Sequence, residues 1–429
     1  MKRSSITVMR RLLTLVKPLT GTMILAVAMG VLGHLCAIFI PVLGGMAITG
    51  SSVKMVCIIL PVIAVLRGIF HLLEQNRNHY LAFKLLALIR DKVFGALRKL
   101  APAKLEGRDK GNLIAILTAD IELLEVFYAH TISPIFIAIF VSIIMTAFIG
   151  SFHPALGALA LTAYMVVGIV VPVVASKMSK KYGEGFREEF GKLDAFVLDG
   201  LRGVKESIQY GTGEKRLKEI YDYSDSLSEK EKKLKGAGGT SVAVTSGIIL
   251  VFDVLMVLTA AILLERGVID GRSAVVSVIA LMSSFGPVIA LANLGTGLQN
   301  TIAAGNRVLD ILDEEPVICE VTDKKEIEFA GADCEAVQFS YDNERILKDF
   351  SMDIPKKGIV GIIGKSGSGK STLLKLLMRF WDVNEGMVSI SGEDIKNINT
   401  SSLRNNESFV TQDTVLFHDS IRKNLLIAN

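Results

Sequence analysis

Gly364-Lys365-Ser366-Gly367-Ser368-Gly369-Lys370-Ser371, followed by Thr372, fits the pattern G-x-x-x-x-G-K-S. The apolar run Ile359–Ile363 leads into it and reads as a strand of a parallel sheet. The neighbouring strands are expected from a missing segment, so that its N–H and C=O groups stay unpaired and 333–429 is loosely folded. Ser371–Arg379 behind the motif reads as a helix. Glycines let backbone N–H groups approach phosphate oxygens without a Cβ in the way, and the helix start adds its positive dipole end. Lys370 is expected to reach β and γ phosphates and Ser371 to ligate Mg²⁺. A flexible loop of chance composition is the alternative, and the strand–loop–helix context weighs against it.

Upstream the chain changes character. Of 429 residues, 50% are hydrophobic and 21% charged, and mean hydropathy is +0.47. That is too apolar for an ordinary soluble enzyme and excludes disorder. A spanning helix needs about 20 apolar residues. Six spans are expected, at about 18–48, 55–75, 126–150, 155–176, 240–264 and 273–306. Ser151-Phe152-His153-Pro154 reads as the hairpin between the third and fourth. Ile6–Lys17 reads as an amphipathic helix at the membrane surface. The apolar run that follows is too long for a cleaved signal peptide.

Lys2, Arg3, Arg10, Arg11 and Lys17 crowd the N-terminus, and Lys and Arg enrich 74–125 and 177–235, whereas the intervening loops are short. The bias puts both termini and the two long helical connections in the cytoplasm of a multi-pass plasma-membrane protein. The formal charge of +4 is absorbed by those cytoplasmic segments, so no nucleic-acid partner is expected. Cys36, Cys57, Cys319 and Cys334 are scattered without a C-x-x-C pair, so neither a disulfide framework nor a zinc site is legible. The membrane domain is taken as 1–310, a charged linker as 311–332 and the start of a nucleotide-binding domain as 333–429. Leu309–Glu314 has apolar residues before Asp313-Glu314 but continues the last helical pattern, so it is not read as a Walker B strand.

Other residues around the loop match a family. Phe339-Ser340-Tyr341 and Ile346–Phe350 lie before it. Leu373–Trp381, Leu403-Arg404 and Val410-Thr411-Gln412-Asp413 lie after it. Together they resemble the nucleotide-binding domain of ATP-binding cassette (ABC) exporters. Six spans with long inner helices ahead of it resemble a type I exporter half-transporter. The resemblance implies that Gly364–Thr372 hold ATP, that Tyr341 stacks on adenine, and that Gln412 shares Mg²⁺ with Ser371. It also implies a second half-transporter, identical or not, a lipid bilayer around the spans, and export of a small molecule. Arg67-Gly68, Glu74, His79–Leu86, Leu100–Ala103 and Gly111-Asn112 are further similar to a subunit of the thiol-reductant or heme exporters of cytochrome bd assembly. Gly-Asp is usual there where Gly111-Asn112 stands here.

No LSGGQ-like motif and no apolar strand ending in Asp-Glu follow Gln412. The chain is therefore expected to be a C-terminally truncated half-transporter with no assignable catalytic glutamate and no ATP hydrolysis of its own. The other reading is a non-transporting membrane protein that at most binds nucleotide or a partner subunit. Ionisable residues within spans are costly and tend to face a cavity or one another. His34, Arg67, His71, Glu74 and His79 are the substrate-contact candidates, against a structural Arg67–Glu74 pair. Arg67, His71 and Glu74 share one helix face by spacing.

Overall fold

The computed structural model describes residues 3–50, 53–292, 297–341, 344–412 and 415–428. It resolves into two compact units, Met1–Val93 with Gly111–Asp310, and Phe94–Lys110 with Ile311–Asn429. Among the described residues six helices are long and apolar enough to cross a membrane. A smaller, sheet-containing unit follows them in the chain.

The first unit is helical. α1 (Ser5–Leu15) starts where the Ser4 hydroxyl accepts from the Thr7 N–H, and buries Val8 and Leu12. Buried Tyr128 donates its hydroxyl proton to the Leu12 carbonyl at 3.0 Å, which ties this surface helix to the bundle. α2 (Thr20–Ile48) is the first span, and α3 (Val53–Leu100) continues the second span far beyond the bilayer. The third runs through α4 (Lys110–Ala115), α5 (Ile121–Phe127) and α6 (Ser133–Gly150), joined by π turns at Ile116–Asp120 and Tyr128–Ile132. His153 caps α7 (Pro154–Met165) by accepting from the Ala155 N–H. A further π turn leads to α8 (Val171–Arg202), then α9 (Val204–Gln209) and α10 (Gly213–Glu265). Gly211, at φ +64°, makes the sharp turn before α10.

The sixth expected span, 273–306, falls on α11 (Gly271–Ser284), α12 (Gly286–Ala292) and α13 (Gly297–Asp313), with 293–296 outside the described residues. The helix breaks at Phe285, just before Pro287, whose missing N–H cannot complete the ladder. At this break the Tyr164 and Ser284 hydroxyls share a buried 2.5 Å hydrogen bond. Close helix contact needs glycine in one place above all. A Cβ on Gly157 would press into the backbone of Gly150 across the α6–α7 hairpin. Leu309 and Ile311 are buried on α13, so Leu309–Asp313 is helix, as its pattern suggested.

The second unit contains a four-stranded antiparallel sheet in the order β2-β1-β3-β4. The strands are β1 (Gly331–Tyr341), β2 (Glu344–Pro355), β3 (Glu385–Ile390) and β4 (Glu393–Asp394). Val337, Leu376, Ile398 and Leu403 are fully buried between this sheet, α14 (Lys370–Leu377) and α15 (Thr400–Asn406). α16 (Ile421–Leu425) is short and exposed. The expected parallel strand at Ile359–Ile363 does not form. These residues lie in no ladder, and both Ile359 and Ile363 are fully exposed. The physical reason is that a strand exists only by pairing its N–H and C=O groups, and among the described residues none pairs with this one.

Candidate nucleotide-binding site

Gly367 (φ +78°) and Gly369 (φ +88°) take left-handed backbone that other residues adopt at a cost. They turn the loop so that Gly369 caps α14. A Cβ on Gly369 would lie 2.9 Å from Ile346 Cγ2 and Leu347 Cδ2. The loop is thus pressed against the β1–β2 hairpin, and residues far ahead in sequence shape it. The Ser368 N–H donates to the Lys365 carbonyl at 3.2 Å. Lys370 Nζ folds back over the loop and donates to the Gly364 and Lys365 carbonyls at 2.9 and 2.8 Å. An ammonium ion, the start of an eight-residue helix and the exposed Ser371 hydroxyl in its first turn form a donor set that fits a polyphosphate with Mg²⁺. Thr372 is buried.

Tyr341 closes β1. Its ring stands edge-on to Phe339, with centroids 4.8 Å apart, and to Trp381 at 5.4 Å. It lines a cavity of about 700 Å³ with Lys104, Glu106, Arg108, Val317 and Trp381, and its hydroxyl is buried without a hydrogen-bond partner. Trp381 and the 103–108 segment were not legible as site residues. Lys375 reaches from α14 to pair with Glu106 and lies 5.5 Å over the Trp381 ring. No local pattern joins positions so far apart in the chain. Gln412 is exposed, and among the described residues no hydrogen bond or ion pair engages it. Lys370 and Ser371 are brought together, then, and Gln412 is not joined to them. His418 is exposed, as a surface histidine would be.

Limited proteolysis of the whole chain is expected to cut first within 356–369. Backbone there lies outside any ladder and presents two bare isoleucines. Mg-ATP should slow those cuts by ordering the loop. First cuts inside β1–β3, or cutting at 356–369 indifferent to nucleotide, would contradict this.

In the first unit the polar candidates gather between α2, α3 and α5. Glu74 is buried, with its carboxyl carbon beside Gly30, and its ionic partner is His71 at 3.5 Å. The Arg67–Glu74 pair offered as the structural alternative is not made, and Arg67 is exposed. Seven residues apart on a helix, the two share a face, but a side chain three residues away is nearer. Gly33 approaches Phe70 and His71, and His34 lies close to Gly286 at the α11–α12 break. His79 pairs with Glu125 at 3.6 Å, and its ring meets His130 edge-on at 5.9 Å. Glu125 and His130 were not foreseen, because they sit on another helix. Asn78, also buried, keeps an unpartnered Oδ1 in the same region of α3. Among the described residues no three His, Cys, Asp or Glu groups are placed to hold a metal ion.

Two family profiles match this chain. The ABC transporter transmembrane region covers residues 19–288 and the ABC transporter domain covers 347–428. A probable ABC transporter ATP-binding/permease protein of Haemophilus influenzae is 43% identical over 100% of this chain and 79% of its own length. The glutathione/L-cysteine transport system ATP-binding/permease protein of the same organism is 25% identical over 86% of this chain and 64% of its own. Its ATP-dependent lipid A-core flippase is 26% identical over 88% and 65%. The chain therefore spans 79% of the first relative and under two thirds of the other two. With more than half its residues inside the transmembrane profile and a phosphate loop folded as described, the chain belongs to the ABC transporter family as a multi-pass membrane permease joined to an ATP-binding domain.

Proposed function

We propose that this chain is an ATP-driven half-transporter that exports a small molecule from the cytoplasm and works paired with a second half-transporter, identical or not, in the plasma membrane. One observation carries the reading. Lys370 is held over the phosphate loop by two carbonyls, in the same polypeptide as six membrane-length helices. Bound Mg-ATP supplies the free energy of phosphoryl transfer. The chain's own residues position it. Loop N–H groups and Lys370 take the phosphates, Ser371 takes the metal with Gln412 swung in, and Tyr341 offers its ring to the base. The polar stripe His34, Arg67, His71, Glu74 and His79 is the proposed substrate contact, since such groups inside a bilayer are retained where they face a cavity. The permease relatives match along most of this chain, which favours transport over nucleotide binding alone.

The test is ATP-dependent accumulation by the full-length, partner-paired transporter in inside-out proteoliposomes, screened first with small thiols and amphiphiles. Accumulation independent of ATP would refute the coupling. Orientation is tested separately, in a chain whose native cysteines are replaced by serine. Val268→Cys, in the short loop before α11, should react with an impermeant maleimide from outside, and Lys230→Cys, on α10, only after permeabilisation. Labelling of Lys230→Cys in intact cells would overturn the cytoplasmic placement of both termini.

A further inference from the structure

A second cavity, of about 500 Å³, lies within the second unit between the end of α3, the 316–320 segment and the loop after α14. No residue of the phosphate loop lines it. Its walls carry Arg98, Lys99, Arg379 and Arg404 against a single acid, Glu320. Arg404 is already committed, donating to the Met378 carbonyl at 2.6 Å and pairing with Glu407. Arg379 is not. It is only 7% exposed, its Nε contacts Asp382 at 3.3 Å, and its Nη1 is buried without a hydrogen-bond partner. Buried donors of this kind almost always meet an acceptor. The Arg379 backbone also sits at φ +48° directly behind α14, where chains commonly use glycine. The sequence thus accepts both a strained backbone and an unmatched donor to hold a guanidinium in this wall.

We propose that this cavity binds a phosphate group, either free or carried on a small organic molecule. Arg379, Arg98 and Lys99 outnumber Glu320 and the Asp382 that holds the Arg379 Nε, and the free edge of the Arg379 guanidinium, with Nη1 unpartnered, matches phosphate oxygens geometrically. Leu100, Pro102, Ile318 and Phe380 supply an apolar wall for an organic part, and the volume falls among ordinary small-molecule sites. Occupancy would bind the end of α3 to the nucleotide-binding unit, which makes the ligand a regulator rather than the transported molecule or the ATP at the loop.

The experiment is calorimetric titration of the whole chain in detergent with phenyl phosphate and, in a second arm, inorganic phosphate. Both are run on the Lys370→Ala background so that the phosphate loop does not report. Saturable binding is expected. Arg379→Gly relieves the backbone while removing the guanidinium, and should weaken binding about tenfold to a hundredfold. Arg98→Ala with Lys99→Ala, both exposed and safe for folding, should weaken it about twofold to fivefold. Tighter phenyl phosphate assigns an organic phosphate, and equal affinities assign free phosphate; either supports the site. Absence of saturable binding by both probes, or affinities unchanged in both variants, overturns it.

Discussion

In the full-length, partner-paired transporter, Lys370→Ala is expected to abolish ATP-driven transport, with a loss of about a hundredfold to a thousandfold or more in turnover. Two effects combine. The ammonium that balances charge developing on the transferred phosphate disappears. The two hydrogen bonds that hold Gly364 and Lys365 carbonyls beneath it go as well, and bonds from a charged donor contribute about 1.5–3 kcal/mol each. Lys370→Arg should fail almost as badly. A flat guanidinium is wider than an ammonium and does not share the loop's axis with two carbonyls and a phosphate. ATP turnover and nucleotide-dependent proteolysis of the same samples separate lost chemistry from lost folding. Turnover within a few-fold of the unaltered protein would remove Lys370 from the mechanism.

Gly386→Ala is the strongest expected disruption of folding in the nucleotide-binding unit. Gly386 opens β3 at φ +82°, opposite an irregularity in β1 where Ala336 itself sits at φ +45°. A Cβ there would fall well inside van der Waals distance of the Glu335 and Ala336 carbonyl oxygens. Neither atom belongs to a flexible side chain, so β1 and β3 must part. The dihedral alone costs about 1–3 kcal/mol, and the clash adds to it. Cys334 reports the outcome. It lies in β1 opposite Val388, is buried, and burial beside Asp333 pushes its thiol up to about 11. It should therefore be unreactive toward maleimide at neutral pH in the unaltered chain. Gly386→Ala should expose it, with labelling located by peptide mass. The neighbouring Glu385→Ala should leave it protected. A Gly386→Ala chain with Cys334 still protected would show that the sheet accommodates the side chain.

Much of the architecture was readable because its causes are local. Uncharged runs reveal spans, since each residue is judged by lipid on its own. Ser151–Pro154 reveals a turn through its own backbone preferences. The phosphate loop is a contiguous motif whose glycines, lysine and serine act within a few residues of one another. Ile359–Ile363 shows the complementary case, in no ladder and largely exposed. Its apolar composition is local, but strandhood requires a partner, and a hydrophobic pattern does not say whether one is present.

The chain's sequence by itself thus determined a membrane permease joined to an ATP-binding domain, because hydropathy and loop chemistry are written in consecutive residues. Only the tertiary structure decided what those elements touch. It chose His71 over Arg67 as the partner of Glu74, and His130 and Glu125 as neighbours of His79. It joined 94–110 to the nucleotide-binding unit through Glu106 and Lys375, and it left the Arg379 Nη1 without a partner in the wall of a cationic cavity. All but the His71–Glu74 pair, made three residues apart on one helix, depend on contacts across tens to hundreds of residues. Contact of that kind is settled by packing and by the pairing of buried polar groups, and neither leaves a periodic trace along the chain.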